Sequence, residues 1–127
     1  MFCRRFFAAY LFVLMFLFWP AATFAQETQK VTITVGEAGK DVLTFEPKEV
    51  RVTSGKVEFT LVNKGQSNHN VAIKLKDKEV RLARAEAGKS ATAEPVELAA
   101  GTYDIYCSFT SGGDHKDRGM AGKLIVK

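Results

Sequence analysis

Apolar and polar residues alternate in short runs from about residue 30 to the C-terminus. The period of two recurs along the chain, as in Val31, Ile33 and Val35 and in Val57, Phe59 and Leu61. Because successive side chains of a strand point to opposite faces, each run predicts a strand with one buried and one exposed face. Turn residues such as Ser54-Gly55 and Lys64-Gly65 separate the runs. We predict an all-β fold, an antiparallel β-sandwich or barrel of about seven to eight strands.

Residues 80–86 do not follow this pattern. Leu82 lies there among alanine and arginine residues that could form a short helical turn on the edge of a sheet. We therefore predict an irregular segment at this place.

The N-terminus has the layout of an export signal. Arg4 and Arg5 precede an apolar run that Pro20 interrupts, and Thr23 and Ala25 provide small residues at the two positions that a signal peptidase reads. This pattern predicts a signal peptide over residues 1–25 and an exported protein, located in the periplasm or outside the cell.

An uncleaved anchor is the alternative to cleavage. The uncharged stretch before residue 26 is about 20 residues long, which is the length that a helix needs to span a bilayer. In either case residues 26–127 form one domain, which we call the mature domain.

Removal of the signal changes the residue counts that matter for chemistry. The mature domain keeps one cysteine, one methionine, two histidines and no tryptophan. It has 16 basic and 14 acidic side chains, a net charge of only +2, and its lysines are scattered. Nucleic-acid binding, which needs a clustered basic surface, is not predicted.

Strand alternation directs two of these residues toward the core. His69 shares a strand face with Val71 and Ile73, and Cys107 shares one with Ile105 at the end of another strand. Both side chains are therefore predicted to point inward.

The remaining two residues lie in and after the loop that follows Cys107. This loop is rich in glycine, serine and charged residues and contains His115, with Met120 at its end. One thiolate, two imidazoles and one thioether are the donors of a mononuclear copper site for electron transfer. The sequence predicts one copper ion bound by His69, Cys107, His115 and Met120.

Each of these residues alone has a simpler explanation. A lone buried cysteine is more often a small apolar residue than a ligand, and a lone His69 or Met120 would be an ordinary core residue. However, an unpaired cysteine is unusual in an exported protein, because that compartment favours disulfides. The copper hypothesis depends on one site using all four residues, with no other Cys, Met or His left in the mature domain.

Two segments carry the four candidate ligands. They are Asn68-His69-Asn70-Val71, and Tyr106-Cys107 followed by His115 and Gly119-Met120-Ala121-Gly122-Lys123-Leu124-Ile125-Val126. These segments resemble the ligand motifs of the cupredoxins, the family that includes plastocyanin and azurin. The resemblance implies a Greek-key β-sandwich with copper near one end, and a hydrogen bond between Asn70 and Ser108. It also implies that the ring edge of His115 reaches the surface and is the electron exit.

The ligand loop departs from the cupredoxin pattern in its length. Seven residues separate Cys107 from His115, more than in familiar members, whereas the four residues between His115 and Met120 match the plastocyanin-like spacing. A longer loop would alter the copper geometry and rebuild the docking surface. The candidate docking residues are Phe109, Lys116 and Arg118.

These features predict an electron carrier rather than an enzyme. Multicopper oxidases and nitrite reductases need further copper sites, and two histidines leave no ligands for a second one. A copper carrier or scavenger would use the same four ligands, although no Met-rich or His-rich tract is present. A metal-free β-sandwich interaction module is a weaker alternative. Its immunoglobulin form is excluded because that pattern needs two cysteines and a core tryptophan.

The expected partners are redox proteins, some of them bound to membranes. Electron-transfer encounters typically use small, weak interfaces, so we expect transient contacts and a monomer. Neither a nucleic acid nor a small-molecule substrate is predicted.

Overall fold

The computed structural model describes residues 25–39 and 42–127. Nearly all of the predicted signal peptide, residues 1–25, lies outside the described residues, so cleavage and anchoring stay predictions. Within the described ranges, no helix is long and apolar enough to cross a membrane.

Ten strands and no helix make up the described part of the chain, which confirms the all-β prediction. The strands are β1 (Gln29–Glu37), β2 (Leu43–Glu46), β3 (Glu49–Val52), β4 (Gly55–Asn63), β5 (His69–Leu75), β6 (Lys78–Ala85), β7 (Ser90–Thr92), β8 (Val96–Leu98), β9 (Gly101–Tyr106) and β10 (Ala121–Val126). The count exceeds the predicted seven to eight because β7 and β8 have three residues each, too few to show an alternation.

The strands form two five-stranded sheets that pack as a sandwich. One sheet has the order β2-β1-β4-β7, with β8 also paired to β4, and the other has the order β3-β10-β9-β5-β6. Two pairs, β1 with β4 and β3 with β10, are parallel, and the others are antiparallel as predicted. Parallel neighbours need a crossover. The chain provides one by leaving the first sheet for β3 before it returns as β4.

The core lies between the sheets and follows the predicted alternation. On β4, Val57, Phe59 and Leu61 are at most 1% exposed, and Ile105 and Leu124 of the second sheet are fully buried. Burial of such side chains stabilises the fold by about 1.5–3 kcal/mol each.

The prediction that residues 80–86 are irregular is wrong, because residues 80–85 belong to strand β6. A β-bulge shifts the register, so that Val71 pairs with Ala83 and Ala72 with Arg81, and Leu82 is the extra residue. The bulge inverts the alternation at Leu82. The buried positions of β6, Ala83 and Ala85, follow the bulge and hold only small side chains. A pattern that changes phase within eight residues could not be read as a strand.

Candidate metal centre

Strands β5 and β9 place His69 and Cys107 at the same end of one sheet. The two strands are antiparallel neighbours that pair Ala72 with Tyr106. Strand β5 begins at His69, and β9 ends immediately before Cys107. Both side chains are fully buried, as the alternation predicted.

The backbone of the ligand loop, residues 107–120, holds the other two candidate ligands beside Cys107. The Cys107 amide donates to the Met120 carbonyl at 2.9 Å, and the Met120 amide donates to the His115 carbonyl at 2.9 Å. Gly119 permits this closure with a φ of 106°, since a Cβ there would lie 2.9 Å from the Leu43 carbonyl oxygen. Met120 is fully buried.

Three donor atoms from His69, Cys107 and His115 converge at this end of the sandwich. The two histidine Nδ1 atoms are 3.2 Å apart, and the Cys107 Sγ lies 4.0 Å from the first and 3.6 Å from the second. All of these atoms lie within 4.8 Å of one another, and all three residues are buried.

The hydrogen bonds of the two rings leave both Nδ1 atoms without a proton. His69 Nε2 lies 3.0 Å from the Glu37 carboxylate, and His115 Nε2 lies 2.9 Å from the Ser111 carbonyl. Both partners are acceptors, so each neutral ring carries its proton on Nε2. Two lone pairs therefore face each other beside a cysteine sulfur. This arrangement fits a cation with an affinity for nitrogen and thiolate donors.

In the absence of metal, burial favours the neutral forms of Cys107 and His69. It raises the pKa of the Cys107 thiol, an effect that hydrogen bonds from the backbone amides of Asn70 and Phe109 oppose. It also lowers the pKa of His69, although the Glu37 carboxylate acts in the other direction. Metal binding at this site must therefore release the thiol proton.

The predicted link between Asn70 and Ser108 is present. Asn70 Nδ2 donates to Ser108 Oγ at 2.9 Å, and the Ser108 amide donates to Asn70 Oδ1 at 2.8 Å. Asn70 is 1% exposed. The pair connects the residue after His69 to the residue after Cys107, so it fixes the two ligand strands relative to each other.

We expect Asn70→Ala to lower the free energy of unfolding by about 2–3 kcal/mol, because two hydrogen bonds are lost and a buried amide group is left without its partner. Ser108→Ala is the matched control, since it removes only the side-chain partner, and we expect a loss of about 1 kcal/mol. Denaturant unfolding of the metal-free protein measures both. Equal losses in the two variants would show that the backbone hydrogen bond contributes nothing.

The resemblance implied that the ring edge of His115 reaches the surface, but in the structure it is covered. The residue is 3% exposed, and its outer nitrogen donates to the Ser111 carbonyl rather than to solvent. The cause is the length of the ligand loop, because the residues added between Cys107 and His115 fold over the ring.

The three candidate docking residues all belong to the ligand loop. Phe109 is half-buried and meets His115 edge-on, with the ring centroids 6.4 Å apart. Lys116 lies 4.8 Å from the centroid of the Tyr106 ring, and Arg118 donates to the Gly112 carbonyl at 3.1 Å. These residues line the loop, and their role in docking stays a prediction.

Glu37 is the site residue that the sequence did not reveal. It ends strand β1, 32 residues before His69. Burial raises the pKa of its carboxyl, but hydrogen bonds from the Gln66 amide and His69 outweigh this and hold the pKa below its usual value. No local pattern marks this contact, because it forms only when β1 and β5, in different sheets, meet.

The fold and the donor set together define a mononuclear copper protein. The model of the cupredoxin-like domain family matches residues 7–126. The chain therefore belongs to the cupredoxin-like family, whose metal is copper. The donors found here, two imidazoles and a thiol with a buried methionine beside them, fit that ion.

Solved structures give the same fold. Auracyanin B matches with a TM-score of 0.62 and 22% identity, covering 78% of this chain and 88% of that chain. A purple cupredoxin from Nitrosopumilus maritimus matches with a TM-score of 0.52 and 20% identity, covering 76% and 98%. A multicopper oxidase matches with a TM-score of 0.57 and 13% identity, covering 79% of this chain but 42% of that one. No curated protein sequence matches the chain.

Proposed function

We propose that this protein is an exported carrier of single electrons. One copper ion would be held by His69, Cys107, His115 and Met120, and when bound it supplies the Cu(II)/Cu(I) couple. The protein would take an electron from one redox protein and pass it to another in transient encounters, as a monomer and without a small-molecule substrate.

The observation that carries this proposal is the convergence of three buried donor atoms within 4.8 Å of one another. His69 lies at the start of β5, and Cys107 and His115 lie in a loop that backbone hydrogen bonds close. The metal-free chain therefore already has these ligands in place. A site fixed by the fold lets a metal ion change charge with little rearrangement, which electron transfer requires.

Several features support a carrier rather than an enzyme. Both histidines of the mature domain belong to one cluster, so none remains for the additional copper sites of an oxidase. The domain also corresponds to nearly the full length of auracyanin B, whereas it covers less than half of the multicopper oxidase.

Reversible reduction tests this function against copper delivery. We expect the copper-loaded protein to be reduced and reoxidised repeatedly with the ion retained, as followed by the visible absorption of Cu(II) and by metal content after gel filtration. Release of copper at each reduction would contradict electron transfer and favour a copper carrier that uses the same ligands.

A further inference from the structure

The two histidines of the metal centre have hydrogen-bond partners of different charge. His69 Nε2 donates to the carboxylate of Glu37 at 3.0 Å. His115 Nε2 donates to a neutral backbone carbonyl, that of Ser111, at 2.9 Å. His69 therefore has a full negative charge next to the side of its ring that faces away from the donor cluster, and His115 has none.

The loop between β4 and β5 holds the Glu37 carboxylate in place. The Gln66 amide donates to Glu37 Oε2 at 2.6 Å. Gly65 leaves the necessary space, because a Cβ at this position would overlap the carboxylate. His69 fixes the second oxygen, so the carboxylate has partners on both sides and a fixed position.

Asn63 in turn fixes the shape of that loop. Its Oδ1 accepts from the Gly65 amide at 2.9 Å, and its Nδ2 donates to the Ser67 carbonyl at 2.7 Å. The same Nδ2 lies 3.1 Å from the Glu86 carbonyl oxygen, which ties the loop to the end of β6. Asn63 is 2% exposed. The contact between Glu37 and His69 is therefore supported by buried structure rather than by a mobile surface side chain.

We propose that Glu37 lowers the reduction potential of the copper centre by holding its negative charge against the ligand His69. A carboxylate that accepts the proton of a ligand imidazole raises the basicity of that ligand. Cu(II) carries one more positive charge than Cu(I), so the carboxylate stabilises the oxidised ion more. Glu37 is a positioning residue, and this inference rests on the proposed function.

The test is the reduction potential of Glu37→Gln, which keeps the shape and an acceptor oxygen but removes the charge. At a fixed ambient potential we expect the ratio of Cu(I) to Cu(II) to rise about tenfold, equivalent to about 59 mV for a one-electron couple. Glu86→Gln is the control. It removes the same charge near the same loop, but Glu86 is exposed and pairs with Lys89. Because exposed charges are screened, we expect the ratio of Cu(I) to Cu(II) to change less than about twofold.

Equal shifts in Glu37→Gln and Glu86→Gln, or no shift in either, would overturn the inference. Separate competition titrations with Cu(I) and Cu(II) give a second readout. We expect Glu37→Gln to weaken Cu(II) binding about tenfold more than Cu(I) binding. This size is typical when a residue that hydrogen-bonds a metal ligand is replaced. An equal loss of affinity for Cu(I) and Cu(II) would overturn the inference.

A measurement on the unaltered protein covers the case in which Glu37→Gln does not fold. In the ¹⁵N NMR spectrum of the metal-free chain, we expect His69 to carry a slowly exchanging proton on Nε2. A proton on Nδ1 instead would overturn the inference. The reduction experiments also separate the two hypotheses. Release of copper on reduction contradicts electron transfer alone, whereas reversible reduction with an unshifted potential in Glu37→Gln contradicts the role of Glu37 alone.

Discussion

Cys107→Ser is expected to abolish the strong visible absorption of the protein loaded with Cu(II). That absorption arises from charge transfer between a thiolate and Cu(II), and Cys107 is the only cysteine of the mature domain. A serine hydroxyl stays protonated and is a poor ligand for copper. We expect the affinity for copper to fall by more than about 100-fold. Replacing a residue that only hydrogen-bonds a metal ligand already lowers metal affinity about 10–100-fold, and here the ligand itself is replaced.

The serine variant should keep its fold, because only one side-chain atom changes at this buried position. Unfolding of the metal-free proteins checks this point, and Ser108→Ala serves as the matched control that alters the adjacent position while leaving the thiolate intact. Persistence of the same absorption band in Cys107→Ser would show that Cys107 is not the ligand.

Phe59→Ala is expected to reduce the free energy of unfolding by about 3–5 kcal/mol, the usual cost of removing a buried aromatic ring. Phe59 is 1% exposed at the middle of β4, where the two sheets meet. Domains of this size are stable by only about 5–15 kcal/mol in total. The substitution would therefore remove a large part of the stability.

Val62→Ala is the control for this change, because Val62 lies on the same strand with its side chain on the opposite face. We expect it to lose about 1 kcal/mol, since the side chain is only half-buried. Denaturant unfolding of the metal-free proteins measures both variants. Similar losses for Phe59→Ala and Val62→Ala would contradict the assignment of the core to one face of β4.

Much of the fold and most of the candidate ligands could be predicted, because the signals are local. Alternation along a strand requires no knowledge of its neighbours, and it correctly directed His69 and Cys107 inward and Phe59 to the core. The link between Asn70 and Ser108 came from the resemblance to the cupredoxins, and the structure confirms it.

The features that escaped prediction depend on contacts between distant parts of the chain. Strand β6 was missed because a bulge against β5 inverts its pattern at Leu82, and a bulge is a property of a strand pair. Glu37 was missed because nothing in its own strand distinguishes it from an exposed terminal glutamate. The burial of His115 was missed because loop length alone does not show which way the added residues fold.

The direction of β1 has a consequence for the topography of the protein in the cell. Glu37, at the end of β1, contacts the metal centre, whereas Gln29, at the start of this nine-residue strand, lies roughly 26 Å away at a rise of about 3.3 Å per residue. Gln26 and Gln29 are tied there to the backbone of Ser54 and Thr53. A retained N-terminal anchor would tether the domain by the pole opposite the copper. The copper pole would then be the end of the domain farthest from the tether.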